Sequence, residues 1–416
     1  MSVEVHDELA RSTAESAARR SYGKLVAFLA ARTRDVAAAE DALSEAFAAA
    51  LTDWPKNGCP ANPEGWLLTV ARRKMIDALR GRKRQELATD QLQIMAEGME
   101  LAERNAQIPD QRLALMFACA HPAIDEAVRA PLILQVVLGL DAKAIASAFL
   151  TSPAAMGKRL VRAKEKIREA GIPFGIPERQ ELPARLDAVL DAIYAAFAEG
   201  WTDPAGTDVS RRNLTEETLF LARLVMELLP AEAEALGLLA LMLQAEARRF
   251  ARRTSTGEYV PLAKQDLRLW DSEMIREAEE LLLRASKMGS IGRFQLEGAL
   301  QSAHVYRCRT GHSNWREIVQ LYDALLEISG SPVVAINRAL ALAEFEGASA
   351  ALGALGDLAA DVRLNEYQPY WAARAELLAK AEAYDDARKA YEIAIGLEHD
   401  AAVRRFLQER QAALPS

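Results

Sequence analysis

His304, Cys308 and His312 stand four residues apart, a spacing that lines one face of a helix and is compatible with zinc. No fourth ligand is evident, and Gly311 is expected to end that helix, so packing is the expected role of all three. Carboxylate pairs such as Glu216-Glu217 and Glu279-Glu280 could serve acid–base chemistry, but they read as solvated helix faces. The phosphate-binding loop, the dinucleotide G-x-G-x-x-G, the G-x-S-x-G elbow and H-E-x-x-H are all missing. An enzyme, a cofactor and a bound metal are therefore not expected. What remains is concentrated positive charge. Arg72, Arg73, Lys74, Arg80, Arg82, Lys83 and Arg84 stand against a single Asp77, and Lys158, Arg159, Arg162, Lys164, Lys166 and Arg168 against Glu165.

The net charge of −8 hides this division. Residues 1–175 hold 24 Lys+Arg against 22 Asp+Glu, a net +2, and the rest hold 27 against 37, a net −10. Such asymmetry points to a nucleic-acid module joined to something else.

The elements that must position these charges read as helices almost throughout, and an all-α fold is expected. Apolar residues recur at three- and four-residue spacings, and sustained period-two alternation is missing. Turn residues cluster from Trp54 to Pro63, and Asn62-Pro63-Glu64 predicts a capped helix start. Arg84 to Pro109 is polar, acidic and weakly periodic, and Gly171 to Pro177 forms a second boundary. These breaks divide the chain into domains at 1–84, 110–172 and 183–416, with 85–109 as a linker. The last contains Trp371, Ala375, Leu378, Tyr384, Ala387, Tyr391 and Ala394 at the spacings of a tetratricopeptide unit, and Trp315, Ile318, Tyr322 and Leu325 form an upstream partner. Tyr384 and Trp315 lie 69 positions apart, close to two periods of about 34 residues.

With 416 residues, half of them hydrophobic and 26% charged, the chain is expected to be globular with more than one core. Cys59, Cys119 and Cys308 are too scattered for a disulfide scaffold, which suits a reducing compartment. The N-terminus carries Glu4, Asp7 and Glu8 and does not read as a signal peptide. The most apolar stretch, Ala130 to Leu140, falls short of the roughly 20 residues that span a bilayer. A soluble cytoplasmic protein is expected.

Asp141 to Leu150 predicts a short amphipathic helix, Thr151-Ser152-Pro153 a tight turn, and Ala154 to Arg168 a second helix. Ile145 and Leu160 are placed to pack the pair, which is a helix-turn-helix pattern. Lys158, Arg159 and Arg162 could then reach phosphates and guanine edges. From Gly65 to Arg84, Trp66, Leu67, Val70, Ala71 and Ile76 form an apolar stripe while the cations face elsewhere, which suits a nucleic-acid backbone. The preceding loop could accept an unstacked base.

Asp41 to Phe47, Trp54, and Pro63 to Asp77 together resemble region two of sigma-70 family initiation factors, and Val136 to Arg168 resembles their region four. With no region three between, the layout is similar to an extracytoplasmic-function sigma factor. Phe117 to Pro122, Arg159 to Lys164, Ala170 to Phe174 and Pro332 to Ala339 extend the resemblance to a subgroup with a long tetratricopeptide-like extension. The resemblance implies that Asp41, Glu45 and Phe47 lie on the helix that docks on core RNA polymerase. It implies that Arg72, Arg73, Lys74, Asp77 and Arg80, with the loop from Asn57 to Asn62, melt and read the minus-ten element of promoter DNA, with Arg82, Lys83 and Arg84 as adjoining contacts. Lys158, Arg159 and Arg162 match the recognition helix for the minus-thirty-five element, flanked by Ser152 and Lys166. Relatives often carry Asn where this chain has Arg73, so the resemblance does not carry the details of base selection over to that position.

The implied function is promoter-specific initiation with core polymerase. The acidic extension would regulate it, through contacts with the chain's own cationic regions or with another regulatory protein. The alternative is a helix-turn-helix regulator fused to a helical-repeat scaffold, which would bind duplex operators alone.

Overall fold

The structure is a computed structural model that describes residues 9–15, 17–18, 21–22, 25–26, 29–30, 36–83, 110–169, 177–201 and 209–415. The expected linker, 85–109, and Arg84 lie outside the described residues. The described residues form an all-α fold, with one isolated antiparallel bridge between Arg253 and Tyr259. The chain divides into two compact units, Met1–Glu199 and Gly200–Ser416.

The first unit begins with helical residues between 9 and 30, followed by α1 (Val36–Asn57) and α2 (Pro63–Lys83). Ala39, Leu43, Ala46, Ala50 and Trp54 recur every three or four residues and bury one face of α1. Leu67, Ala71 and Met75 answer them from α2. The buried stripe of α2 differs from the expected one at one position. Ile76 is 45% exposed and Met75 takes the core position, because a four-residue step from Ala71 keeps the same helix face whereas five leaves it.

α3 (Gln111–Cys119) starts at Asp110, whose carboxylate accepts from the amides of Arg112 and Leu113 at 2.7 and 3.2 Å. It is buried from Arg112 to its end. Then come α4 (Glu126–Val136), α5 (Ala142–Ala148) and α6 (Pro153–Glu169). The chain next returns to α3: buried Arg185 donates to the Phe117 carbonyl at 3.2 Å and to Glu181 at 2.8 Å. α7 (Leu186–Trp201) follows.

The second unit is organised around α9 (Ala233–Glu246), which follows α8 (Val209–Leu228) and is buried on all sides from Ala235 to Ala245. A helix apolar all round has no solvent face to offer, so it becomes the centre. α8, α10 (Ser272–Ser286) and α11 (Arg293–Thr310) pack around it. α11 starts on Glu234, whose carboxylate accepts from the amides of Phe294 and Gln295 at 2.8 and 3.1 Å.

α12 (Trp315–Ser329), α13 (Pro332–Phe345), α14 (Ala348–Gly356), α15 (Gln368–Lys380), α16 (Tyr384–Leu397) and α17 (Ala401–Ala412) then stack, each largely on its neighbour in sequence. Ala375, Leu378, Ala387, Tyr391 and Ala394 share one core cluster against Trp371, while Ile318 and Leu325 share another with Trp315 and Tyr322. Glu376 on α15 accepts from the Tyr391 hydroxyl at 3.1 Å and from Arg410 at 2.7 Å, tying three successive helices together.

Candidate nucleic-acid interface

Two helix termini frame the first cationic surface. α1 ends at Asn57 and Gly58 reverses the chain at φ 84°, a conformation that favours glycine. Asn62 then caps α2: its side-chain oxygen accepts from the Gly65 amide at 2.9 Å and its carbonyl from the Trp66 amide at 3.1 Å. Trp54 and Trp66 meet edge to face, 5.4 Å between centroids, and clamp the two ends of the loop together. Pro63 occupies the first helical position, as Asn62-Pro63-Glu64 predicts.

With Leu67, Ala71 and Met75 turned inward, Arg72, Arg73 and Lys74 are exposed. Lys74 pairs with Glu45 of α1 at 3.0 Å across a shallow groove that also includes Thr52 and Asp53. Two residues assigned to different partners, DNA and polymerase, therefore touch. Asp41 and Glu45 are exposed on α1, whereas Phe47 is half-buried and stacks on Tyr22, 6.3 Å between centroids. Asp77, Arg80, Arg82 and Lys83 lie on the last turns of α2, and their side chains are outside the described residues.

The second cationic surface is α6. Asp141 caps α5 by accepting from the Ala144 amide at 2.8 Å. Leu150 turns the chain at φ 48°, and the Thr151 amide donates back to the Ala146 carbonyl at 3.0 Å. Ser152 then accepts from the Ala155 amide at 3.2 Å and opens α6. Ile145, Ala146, Met156 and Leu160 form the seam between the two helices. That packing leaves Ser152, Lys158, Arg159, Arg162 and Lys166 exposed.

Lys164 behaves differently. It turns inward to Glu40 of α1 and pairs at 2.6 Å, with side-chain exposures of 23% and 13%. Sequence reasoning counted Lys164 among the cations of the second helix, but nothing local marks a partner 124 residues earlier. The Cys119 thiol lies in the field of this pair, and burial pushes its pKa up. Such a thiol is inert.

Outside these surfaces, the residues at zinc-compatible spacing separate. α11 stops at Thr310 and Gly311 takes a left-handed conformation at φ 71°. His304 packs on Trp315, Cys308 on the Trp270 cluster and His312 on Tyr306. Among the described residues no group of three or more His, Cys, Asp and Glu is placed to hold a metal ion.

Burial, and then the Arg307 and Arg248 guanidiniums, push the His304 pKa down to about 4 from 6.5. A pKa lowered on folding means that the unfolded chain takes up the proton first. The stabilisation is whole above 6.5 and fades as the pH falls toward 4. Between pH 7 and 5 the loss attributable to this group is expected to be about 2 kcal/mol. Urea unfolding of the His304→Gln variant at both pH values checks this: the variant should lose less stability on acidification than the parent, and an identical loss would refute the assignment.

Residues 18–85 match Sigma-70 region 2, and residues 185–286 match a family of unknown function, DUF6596. An uncharacterised protein of Rhizobium meliloti (strain 1021) is 36% identical over 399 residues, spanning 94% of this chain and 93% of the relative. A probable RNA polymerase sigma factor of Xanthomonas campestris pv. campestris, RfaY, is 32% identical over 177 residues, 39% of this chain and 43% of that protein. No solved structure matches significantly. The cationic α2 and its capped loop thus fall inside a region-2 match, and no helix among the described residues is long and apolar enough to cross a membrane. The chain belongs to one family with the rhizobial protein over nearly its whole length, and its residues 18–85 carry a match to region 2 of sigma-70 factors.

Proposed function

We propose that the chain is an RNA polymerase sigma factor of the extracytoplasmic-function type, with region 2 at 1–84, a linker at 85–109, region 4 at 110–172 and a tetratricopeptide-like extension at 183–416. The observation that carries this reading is the region-2 match over residues 18–85, on a helix pair whose second member exposes Arg72, Arg73 and Lys74 beside a capped loop. Melting a promoter costs a few kcal/mol per unstacked base, and base-pocket contacts with phosphate neutralisation offset it. A cationic helix next to a preformed loop is suited to that task. α6, with Lys158, Arg159 and Arg162 exposed and Ser152 at its start, supports the reading of a recognition helix in a major groove. Asp41 and Glu45 supply an acidic face for core polymerase. The chain itself performs no chemistry, needs no cofactor and works in the cytoplasm with the polymerase.

Run-off transcription with core RNA polymerase and candidate promoters tests this. The expected result is a transcript that requires the chain. Tight binding to a duplex operator without polymerase, and no transcript from any promoter, would instead identify a helix-turn-helix regulator. The extension is proposed to tune this activity, so a chain lacking residues 200–416 should initiate with altered efficiency. Truncation there, rather than after Pro177, keeps Arg185 on the Phe117 carbonyl.

A further inference from the structure

A cation taken out of water is costly unless an anion answers it. In the second unit, the chain leaving α9 passes through Arg248, Arg249, Arg252 and Arg253. Arg248 and Arg249 are each only 6% exposed, and the Arg253 side chain is 11% exposed. Glu246 accepts from Arg249 Nε at 2.7 Å, and Asp400 pairs with Arg253. The other two arginines have no carboxylate partner among the described residues. Arg248 donates to the Gln244 carbonyl at 2.9 Å and to the Gln301 side chain at 2.5 Å. Arg252 donates to the Trp201 carbonyl at 2.9 Å and lies 3.5 Å over that indole ring. Among the described residues, four cations against two carboxylates leave two positive charges unanswered.

Unpaired buried donors surround the same arginines. Arg249 Nη1 and Nη2, Arg253 Nη1 and the indole N–H groups of Trp201 and Trp270 are buried without partners among the described residues. So is the whole side-chain amide of Gln244. Most of these orphans are donors, whereas native interiors leave few polar groups unpaired. Burial draws the pKa of both Arg248 and Arg252 down to about 10, and Arg253, Arg248 and Arg249 add to the effect on Arg252, which places all four in one field.

The segment is also braced. The Val260 amide donates to the Arg252 carbonyl at 2.9 Å, the Asp271 amide to the Ala247 carbonyl at 2.9 Å, and Tyr259 packs edge-on against Phe406. The backbone that carries the arginines is therefore fixed before any ligand arrives.

We propose that the arginine cluster Arg248–Arg253 is a binding site for a small molecule carrying a phosphate group. A phosphate monoester brings a charge of about −1.5 to −2 at neutral pH, close to the two cations left over. It also brings acceptor oxygens suited to the fork of a guanidinium. A lone carboxylate would answer only one of the charges. The burial of Arg248 and Arg249 keeps out a nucleic-acid backbone, so the ligand is a small one. Inorganic phosphate and an organic phosphate monoester share this chemistry.

The full chain, dialysed free of phosphate, would be titrated by calorimetry and thermal unfolding with inorganic phosphate, a sugar monophosphate and a nucleoside monophosphate, each against chloride at equal ionic strength. At least one is expected to bind saturably, one per chain, and to raise Tm beyond chloride; which one binds most tightly identifies the source. Arg249→Gln and Arg252→Met are expected to weaken it about ten- to a hundredfold, the weight of one or two charge-assisted hydrogen bonds. In phosphate-free buffer Arg252→Met should unfold at a higher temperature than the parent, because it removes a half-buried cation that has no carboxylate partner among the described residues. Should a variant fail to fold, phosphorus NMR line broadening on the parent, reversed by the tightest ligand, reads the same site. No saturable effect beyond chloride, or equal affinity in folded variants, would overturn the proposal. Neither polymerase nor DNA enters these measurements, so the result stands apart from the transcription reading.

Discussion

Replacing Lys158, Arg159 and Arg162 together by alanine is expected to lower promoter-dependent transcription about a hundredfold or more, without loss of helix content. All three side chains are exposed on α6, while Met156 and Leu160 hold the opposite face in the seam with α5. Their removal therefore takes nothing from the core, and circular dichroism should be unchanged. Each cation that neutralises a phosphate displaces condensed counterions, so the slope of log affinity against log salt should fall by about one per residue removed. Any of the three that reaches a guanine edge adds about 1–3 kcal/mol of base discrimination. Singly, a phosphate contact should weaken all promoters alike, whereas a base contact should relax selectivity at one position. Undiminished transcription with an unchanged salt slope would remove α6 from the interface.

The second large effect is structural. Gly237→Val is expected to destabilise the second unit by about 3 kcal/mol. A Cβ at Gly237 would lie 2.5 Å from the backbone nitrogen of Gln295 and 2.9 Å from its Cα, so no rotamer change relieves the overlap. The approach is mutual: a Cβ on Gly298 would come 3.3 Å from the Gly237 carbonyl oxygen. α9 and α11 can therefore accept the side chain only by moving apart, which also pulls the amides of Phe294 and Gln295 from the Glu234 carboxylate. Such a loss corresponds to a fall of roughly 10 °C in Tm for a unit of this size, readable by calorimetry. Gly353→Ala is the control, since its Cβ would meet nothing within 4 Å. Equal behaviour of the two variants would refute the packing argument.

The parts of this molecule visible in sequence are those set by local chemistry. Helical periodicity, the Asn62–Pro63 start of α2, the stop of α11 at Gly311 and the short turn before Pro153 all follow from backbone preferences that act over a few residues. The cationic faces of α2 and α6 were legible because their apolar partners alternate with them. What depends on distant neighbours was not. Lys164 looks identical to Lys158 until Glu40 is brought beside it. Nothing in the local sequence sets Arg248, Arg249 and Arg253 apart, since only the tertiary fold brings them inside. Ile76 and Met75 exchanged places because a stripe drawn on a helix drifts by about 100° per residue, and adjacent apolar residues compete for one core position.

The loop of residues 58–62 has a kinetic meaning. Its two feet are joined by the Trp54–Trp66 contact and its far end is pinned by Asn62. The two ends of the loop are thus fixed when the protein folds, not when a guest arrives. Under the proposed function a flipped nucleotide would meet a loop whose ends are already set, so substitutions at Cys59, Pro60 or Ala61 should change which nucleotide fits far more than how fast the encounter occurs.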